Sequence, residues 1–177
     1  MGVVSASLTG RRLIRLLAPF GCEVRVYDPY LSQEEADSLG VQRGSLEEVM
    51  TSAIVSVHTP ALAATHHLVD RHHLAQIPDG AIFVNSSRGS VVDEAALQDE
   101  LVSGRFSAVL DVFDHEPLTS DHPLRRLPNV MLTPHVAGDT WEGRRALLPL
   151  LAQEALKCID GQDSELAVSG DRFSALA

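Results

Sequence analysis

Short runs rich in β-branched residues alternate with helix-forming segments over most of this 177-residue chain. Several runs are almost wholly apolar, as expected for strands that are buried on both faces of a sheet. The candidate strands are Gly2–Val4, Glu23–Tyr27, Ala53–Val57, Ala81–Val84, Ala108–Leu110 and Asn129–Leu132. Because parallel strands must be joined by crossovers, this alternation predicts an α/β fold with a doubly wound parallel sheet.

Helix start and stop signals lie between the candidate strands. Ser32–Glu35 and Ser45–Glu48 each place a serine at the N-cap and a glutamate three residues later, which is the capping-box pattern. Asp93 is placed to cap a helix that Gly104 ends. These signals predict helices between the strands, as a parallel sheet requires.

The pattern changes after the last candidate strand. Trp141–Ile159 is one long helical stretch, and Pro149 inside it predicts a kink or a new start near Leu148. A polar tail follows and ends in apolar residues that include Phe173 and Leu176. We therefore expect a first domain over residues 1–140, and a C-terminal helix and tail over residues 141–177.

Composition excludes several classes of partner. The chain has 14 Lys and Arg against 24 Asp and Glu, a net charge of −10, which has the wrong sign for binding nucleic acid or an anionic membrane surface. Cys22 and Cys158 are far apart in sequence, and the adjacent histidines lack metal-site spacing, so we expect no disulfide and no metal. Without a long apolar run, a cytoplasmic protein is the prediction.

The segment after the first strand is placed where a dinucleotide-binding fold has the turn G-x-G-x-x-G. It reads Ser5-Ala6-Ser7-Leu8-Thr9-Gly10, so only the third glycine is present. Ser7, Leu8, Thr9 and Gly10 are the candidate pyrophosphate-binding residues, because a helix N-terminus offers N–H groups to phosphate. Asp28 ends the second strand, where a carboxylate accepts hydrogen bonds from the adenosine ribose and repels a 2′-phosphate. This pattern predicts NAD rather than NADP, and its alternative is a βαβ unit that binds nothing.

Three later segments are more specific for a protein family than the turn is. Asn85–Glu94, Leu110–Pro117 and Leu132–Gly138 closely resemble, in the same order, the signatures of the D-isomer-specific 2-hydroxyacid dehydrogenases. The resemblance extends from the first strand through the long helix. It implies a Rossmann-type NAD-binding domain, and we expect the family's substrate domain to be largely absent from this chain.

The resemblance implies roles for three catalytic residues. His135 is the proton donor in reduction and the base in oxidation, Glu116 orients its ring and favours the imidazolium, and Arg88 binds the substrate carboxylate. It also implies that Asp111 binds the nicotinamide carboxamide. The remaining candidate cofactor contacts are His58, Thr59, Pro60, Ser87 and Gly138, although His58 also fits a plain strand end followed by a proline loop.

The preferred hypothesis is an NAD-dependent oxidoreductase domain that transfers a hydride between nicotinamide and a D-2-hydroxy acid or 2-keto acid pair. Its partners are then a small acid substrate and, as the resemblance implies, a second copy in a homodimer. Two alternatives stay open at this point. One is a truncated, non-catalytic or repurposed Rossmann protein that binds another ligand or partner, and the other is a module that senses NAD(H).

Overall fold

The computed structural model describes residues 1–164 and 166. The apolar end of the tail, Phe173, Leu176 and Ala177, lies outside the described residues. The chain divides into two units, of which the first is Met1–Pro134 and the second begins at His135. The predicted domain boundary between residues 140 and 141 stays a prediction.

In the first unit, seven strands form one parallel sheet in the order β3-β2-β1-β4-β5-β6-β7. The predicted doubly wound α/β sheet is therefore confirmed. The strands are β1 Gly2–Val4, β2 Arg25–Tyr27, β3 Gln42–Arg43, β4 Ile54–Val57, β5 Ile82–Asn85, β6 Ser107–Leu110 and β7 Val130–Leu132. Only β3 was missed by sequence, because two exposed polar residues at a sheet edge show no hydrophobic pattern.

Three of the helices begin at the predicted caps. The helices are α1 Leu8–Leu17, α2 Gln33–Leu39, α3 Leu46–Met50, α4 Arg71–Leu74, α5 Glu94–Ser103 and α6 Trp141–Ile159. Both predicted capping boxes form, at the starts of α2 and α3. Asp93 caps α5 by accepting a 2.9 Å hydrogen bond from Ala96 N, and Gly104 ends the helix in the left-handed region, at φ 76°.

Two hydrophobic clusters lie on opposite faces of the sheet, and the smaller one covers only the part of its face formed by β1 and β2. Val3 and Val4 are adjacent on β1 and point to opposite faces, and each is fully buried in a different cluster. The larger cluster is centred on residues such as Phe83, Leu74 and Leu101. On the other side of β1, the face that carries the smaller cluster is open, with Ile54 39%, Ile82 40% and Met131 63% exposed.

In the second unit, α6 continues through Pro149 from Trp141 to Ile159, so the helix does not start anew near Leu148, and the alternative of a kink stays a prediction. The helix is capped by Thr140, whose hydroxyl accepts a 3.0 Å hydrogen bond from Gly143 N. Its large apolar side chains are exposed, with Leu148 at 75% and Ile159 at 79%. Among the described residues, none of the helices combines the length and apolar character needed to cross a bilayer.

Candidate active site

The strand order reverses direction between β1 and β4, and ligands of open α/β sheets bind outside the carboxyl ends of strands at such a point. His58 follows β4, and its backbone N–H donates to the carbonyl oxygen of Val4 at 2.8 Å. The Thr59 hydroxyl donates to the same oxygen at 3.3 Å. The structure therefore brings the predicted residues His58 and Thr59 beside the turn that begins at Ser5.

That turn is tight, and its only glycine is sterically required. Ser5 has φ 78°, in the left-handed region where glycine is favoured. A Cβ on Gly10 would overlap the carbonyl oxygen of Ser5 and lie 3.4 Å from Cβ of His58. Gly10 thus allows α1 to pack closely against β1 and β4.

The N-terminus of α1 opens at the carboxyl edge of the sheet. The Ser7 hydroxyl accepts a 3.3 Å hydrogen bond from Gly10 N, and the Ser7 carbonyl accepts from Arg11 N at 2.8 Å. The first amides of a helix, here those of Leu8 and Thr9, have no acceptor within the helix. The Ser7 hydroxyl still has its own proton to donate, so this helix end fits a pyrophosphate despite the serine.

Arg11 stabilises the turn by a hydrogen bond to its backbone, a role that sequence reasoning missed. Its Nε donates to the carbonyl oxygen of Ala6 at 2.9 Å, and its Nη2 lies 2.9 Å from Oε1 of Glu35 on α2. A signal existed in the sequence, since Arg11 is in the first turn of a helix that follows a phosphate-loop pattern. A solvated charge fits that position equally well.

Asp28 directly follows β2 and holds the turn with its carboxylate. Oδ2 accepts hydrogen bonds from the Ser5 hydroxyl at 3.1 Å and from Ala6 N at 2.8 Å. Oδ1 accepts from Tyr30 N at 2.8 Å. The residue predicted to bind ribose therefore has three donors from its own chain.

His58 is buried behind the turn. Its Nε2 lies 2.9 Å from the hydroxyl of Ser56, which is also buried. Burial lowers the pKa of His58 below its usual value of 6.5, because the imidazolium loses its hydration there. The neighbouring Pro60 is partly buried, and its carbonyl oxygen accepts from the Thr65 hydroxyl at 2.6 Å.

The Arg88 loop, residues 86–91, is organised by Asn85 at the end of β5. The side-chain amide of Asn85 donates to the carbonyl oxygen of Arg88 at 3.0 Å, and its Oδ1 accepts at 3.1 Å from both the backbone and the hydroxyl of Ser87. Asn85 is 2% exposed, whereas the Arg88 side chain is exposed. Sequence reasoning missed this positioning role, although a polar residue that ends an apolar strand signals a buried hydrogen-bonding group.

The Glu116 loop, residues 112–117, lies directly against the Arg88 loop. A Cβ on Gly89 would overlap the carbonyl group of Phe113 and lie 2.5 Å from Asp114 N. Oε1 of Glu116 accepts a 3.0 Å hydrogen bond from Phe113 N, so Glu116 is tied to the same stretch of backbone. The structure thus brings the loops of two predicted catalytic residues together.

Asp111 directly follows β6 and lies next to Asn85. It is 3% exposed, its backbone N–H donates to Asn85 O at 3.0 Å, and its Oδ1 accepts from the Thr133 hydroxyl at 2.5 Å. The predicted residues Asp111, Ser87 and Arg88 therefore belong to one carboxyl edge of the sheet.

His135 and Gly138 belong to the second unit. Both are exposed, and His135 has φ 54°, a conformation that few non-glycine residues adopt. Residues held in such conformations cluster at functional sites. This observation about the His135 backbone is consistent with the predicted role.

A family model for the D-isomer specific 2-hydroxyacid dehydrogenase, NAD binding domain, matches residues 1–137. The chain belongs to this family. It is 34% identical over 172 residues to a D-3-phosphoglycerate dehydrogenase of Methanocaldococcus jannaschii, a match that covers 96% of this chain and 33% of that protein. It is also 41% identical over 146 residues to a D-3-phosphoglycerate dehydrogenase of Mycobacterium tuberculosis, covering 81% of this chain and 28% of that protein.

A solved structure with the same fold is that of apo D-mandelate dehydrogenase from Rhodotorula graminis. Its TM-score is 0.85 at 31% identity, and the match covers 99% of this chain and 52% of the other. The chain therefore spans about a third of the two phosphoglycerate dehydrogenases and about half of the mandelate enzyme. The family resemblance and the NAD cofactor are confirmed, and the match favours a dehydrogenase over a repurposed Rossmann protein.

The contact at Gly89 yields a prediction about stability. We expect Gly89→Ala to lower the free energy of unfolding by about 3 kcal/mol, because the methyl group forces the Arg88 and Glu116 loops apart. Urea unfolding followed by circular dichroism measures this difference. Ser86→Ala, an exposed change in the same loop, is the matched control and should leave stability nearly unchanged. Equal stability of Gly89→Ala and wild type would show that the loops separate without cost.

The buried ring of His58 yields a prediction about pH. In the unfolded chain this histidine gains a proton below pH 6.5, whereas burial opposes protonation in the folded protein. The free energy of unfolding should therefore fall as the pH drops below 6.5, with a contribution of at most about 1.4 kcal/mol per pH unit from this group.

Unfolding measured at several pH values tests this contribution. His58→Gln should make the fall in stability below neutral pH shallower, whereas His72→Gln, at an exposed position on α4, should not. Identical slopes for wild type and His58→Gln would contradict the prediction.

Proposed function

We propose that this chain is the NAD-binding part of an NAD-dependent oxidoreductase that acts on a D-2-hydroxy acid and its 2-keto acid. The observation that supports this most strongly is the contact of Gly89 with the Phe113–Asp114 backbone. It holds the loop that carries a carboxylate-binding arginine against the loop that carries an acidic residue. Such a pairing of cation and acid suits the binding and reduction of an α-keto acid.

Arg88 is the proposed substrate-binding group. Its guanidinium offers a planar fork of donors that matches a carboxylate, and its positive charge polarises the adjacent keto group. The side chain is exposed at the sheet edge, while Asn85 holds its carbonyl oxygen at 3.0 Å. The backbone of Arg88 is therefore fixed and its side chain is accessible to substrate.

His135 is the proposed general acid and general base, and Glu116 is the proposed partner of its ring. The His135 imidazolium gives a proton to the keto oxygen during reduction, and the neutral ring takes that proton back during oxidation. Glu116 stabilises the imidazolium and selects its tautomer. NADH, when bound, supplies the hydride that reaches the keto carbon.

The remaining predicted residues are assigned to the cofactor. Ser7, Leu8, Thr9 and Gly10 hold the pyrophosphate at the N-terminus of α1, and Asp28 accepts from the adenosine ribose. Asp111 binds the carboxamide and so selects the ring face that meets the substrate. The other proposed contacts to the dinucleotide are His58, Thr59, Pro60, Ser87 and Gly138.

The wider assembly is part of the same proposal. Residues 1–140 form the dinucleotide-binding domain, and residues 141–177 return towards the substrate domain of the complete enzyme. The active form is a homodimer in the cytoplasm. Light scattering of the purified protein tests the dimer directly, and a monomer at all concentrations would contradict it.

Cofactor choice provides the first test. We expect calorimetric titration to show tighter binding of NADH than of NADPH, because the Asp28 carboxylate repels a 2′-phosphate. Asp28→Ala should narrow this preference by about ten-fold. Asp114→Ala removes an exposed acidic side chain elsewhere and is the control. A wild-type chain that prefers NADPH would refute the assignment of Asp28.

Proton transfer provides the second test, measured in the complete enzyme that contains this chain, as NADH oxidation with pyruvate, glyoxylate, 3-phosphohydroxypyruvate and phenylglyoxylate. We expect His135→Gln to lower turnover by about a hundred-fold or more while NADH binding changes only a few-fold. His115→Gln, at an exposed position beside Glu116, should retain turnover. Unchanged turnover in His135→Gln would remove this residue from the mechanism. NADH binding without oxidation by any acid would favour the cofactor-sensing alternative.

A further inference from the structure

Ser5 stands at the first glycine position of the dinucleotide turn and binds the carboxylate proposed to hold ribose. A carboxylate has about four lone-pair sites, two on each oxygen. On Asp28, the Ser5 hydroxyl and Ala6 N use both sites of Oδ2, and Tyr30 N uses one site of Oδ1. One acceptor site is left for a ligand.

A ribose diol that donates both of its hydroxyl protons to Asp28 needs two acceptor sites. One of the three present donors must therefore leave when the diol binds. Ala6 N and Tyr30 N are backbone groups, and the Ala6 carbonyl is further held by Arg11 Nε at 2.9 Å. Their release would require the turn itself to move.

Ser5 is different, because only its side chain has to move. Its backbone N–H donates to Tyr27 O at 2.7 Å, which keeps the main chain in place. Rotation about one side-chain bond releases the hydroxyl and restores the second acceptor site. Ser5 is thus the donor that costs least to displace.

We propose that Ser5 sets the NAD(H) affinity of this chain by competing with the adenosine ribose for the Asp28 carboxylate. The inference rests on the proposed binding of NAD at this turn. When the Ser5 hydroxyl donates to Asp28 in place of the ribose, NAD(H) binds more weakly. The negative charge of Asp28, which selects NAD, is unchanged. Ser5 therefore adjusts the affinity for the dinucleotide, while Asp28 determines which cofactor is preferred.

The test compares the dissociation constant of NADH for wild type, Ser5→Ala and Ser5→Gly. Both variants lack the hydroxyl, and Ser5→Gly also relieves the left-handed backbone at φ 78°. Loss of one competing hydrogen bond to a charged group should tighten NADH binding by about ten-fold in both variants. Ser103→Ala, whose hydroxyl donates to Glu100 O at the exposed end of α5, is the matched control and should bind as wild type does.

A second background shows whether the effect passes through Asp28. In Asp28→Ala, the additional change Ser5→Ala should leave the affinity for NADH unchanged, because no carboxylate is left to compete for. Equal tightening in both backgrounds would overturn the proposal. Tightening in Ser5→Gly alone would also overturn it, since that result assigns the effect to the backbone.

The failure of this inference differs from the failure of the proposed function. If wild type binds NADH and neither Ser5 variant binds more tightly, the proposed cofactor site is supported and the proposed competition by Ser5 is refuted. If no variant binds NADH up to millimolar concentration, the proposed cofactor site and the competition fail together. Thermal unfolding of each variant confirms that the protein tested is folded.

Discussion

The parallel pairing of β1 with β4 determines where the candidate site of this chain is located. Val4 is fully buried in that pairing, and its carbonyl oxygen accepts from both His58 N and the Thr59 hydroxyl. Because every strand runs in the same direction, the residues that follow the strands all emerge at one edge. The dinucleotide turn, His58, the Arg88 loop and Asp111 lie on this edge for that reason alone.

Polar groups that are buried at this edge have partners, and those partners belong to the neighbouring strand ends. Asn85 binds the Arg88 loop and receives the backbone N–H of Asp111, while Asp111 receives the Thr133 hydroxyl. Burial makes each of these hydrogen bonds costly to leave unmade. The backbone of this edge is consequently held by hydrogen bonds, while the Arg88 side chain is exposed and its Nη1 donates to the carbonyl oxygen of Ser87 at 2.7 Å.

The fold could be predicted from the sequence because its signals are local. Apolar runs, two capping boxes and the Asp93 cap are each readable within ten residues. The role of Gly89 was not readable, since it depends on a contact with Phe113, which is distant in sequence. Asn85 differs, because its side chain bonds to nearby Ser87 and Arg88, and the signal of a polar residue at a strand end was present. Asp28 was predictable only in part, for the same reason as Gly89. Its position at a strand end could be read from the sequence, but its hydrogen bond from the Ser5 hydroxyl joins positions 23 residues apart.

The two serines of the dinucleotide turn differ in their effect on the stability of the folded chain. Ser7 has φ −57° and ψ 175° and caps α1, a position at which serine is among the preferred residues, so replacing a glycine there stabilises the helix. Ser5 takes a left-handed conformation that costs a non-glycine residue about 1 kcal/mol or more. Its hydrogen bond to Asp28 offsets part of that cost in the absence of cofactor. The turn is therefore stabilised by the same carboxylate that a ribose would use, so stability of the empty site and affinity for the dinucleotide oppose each other at Ser5.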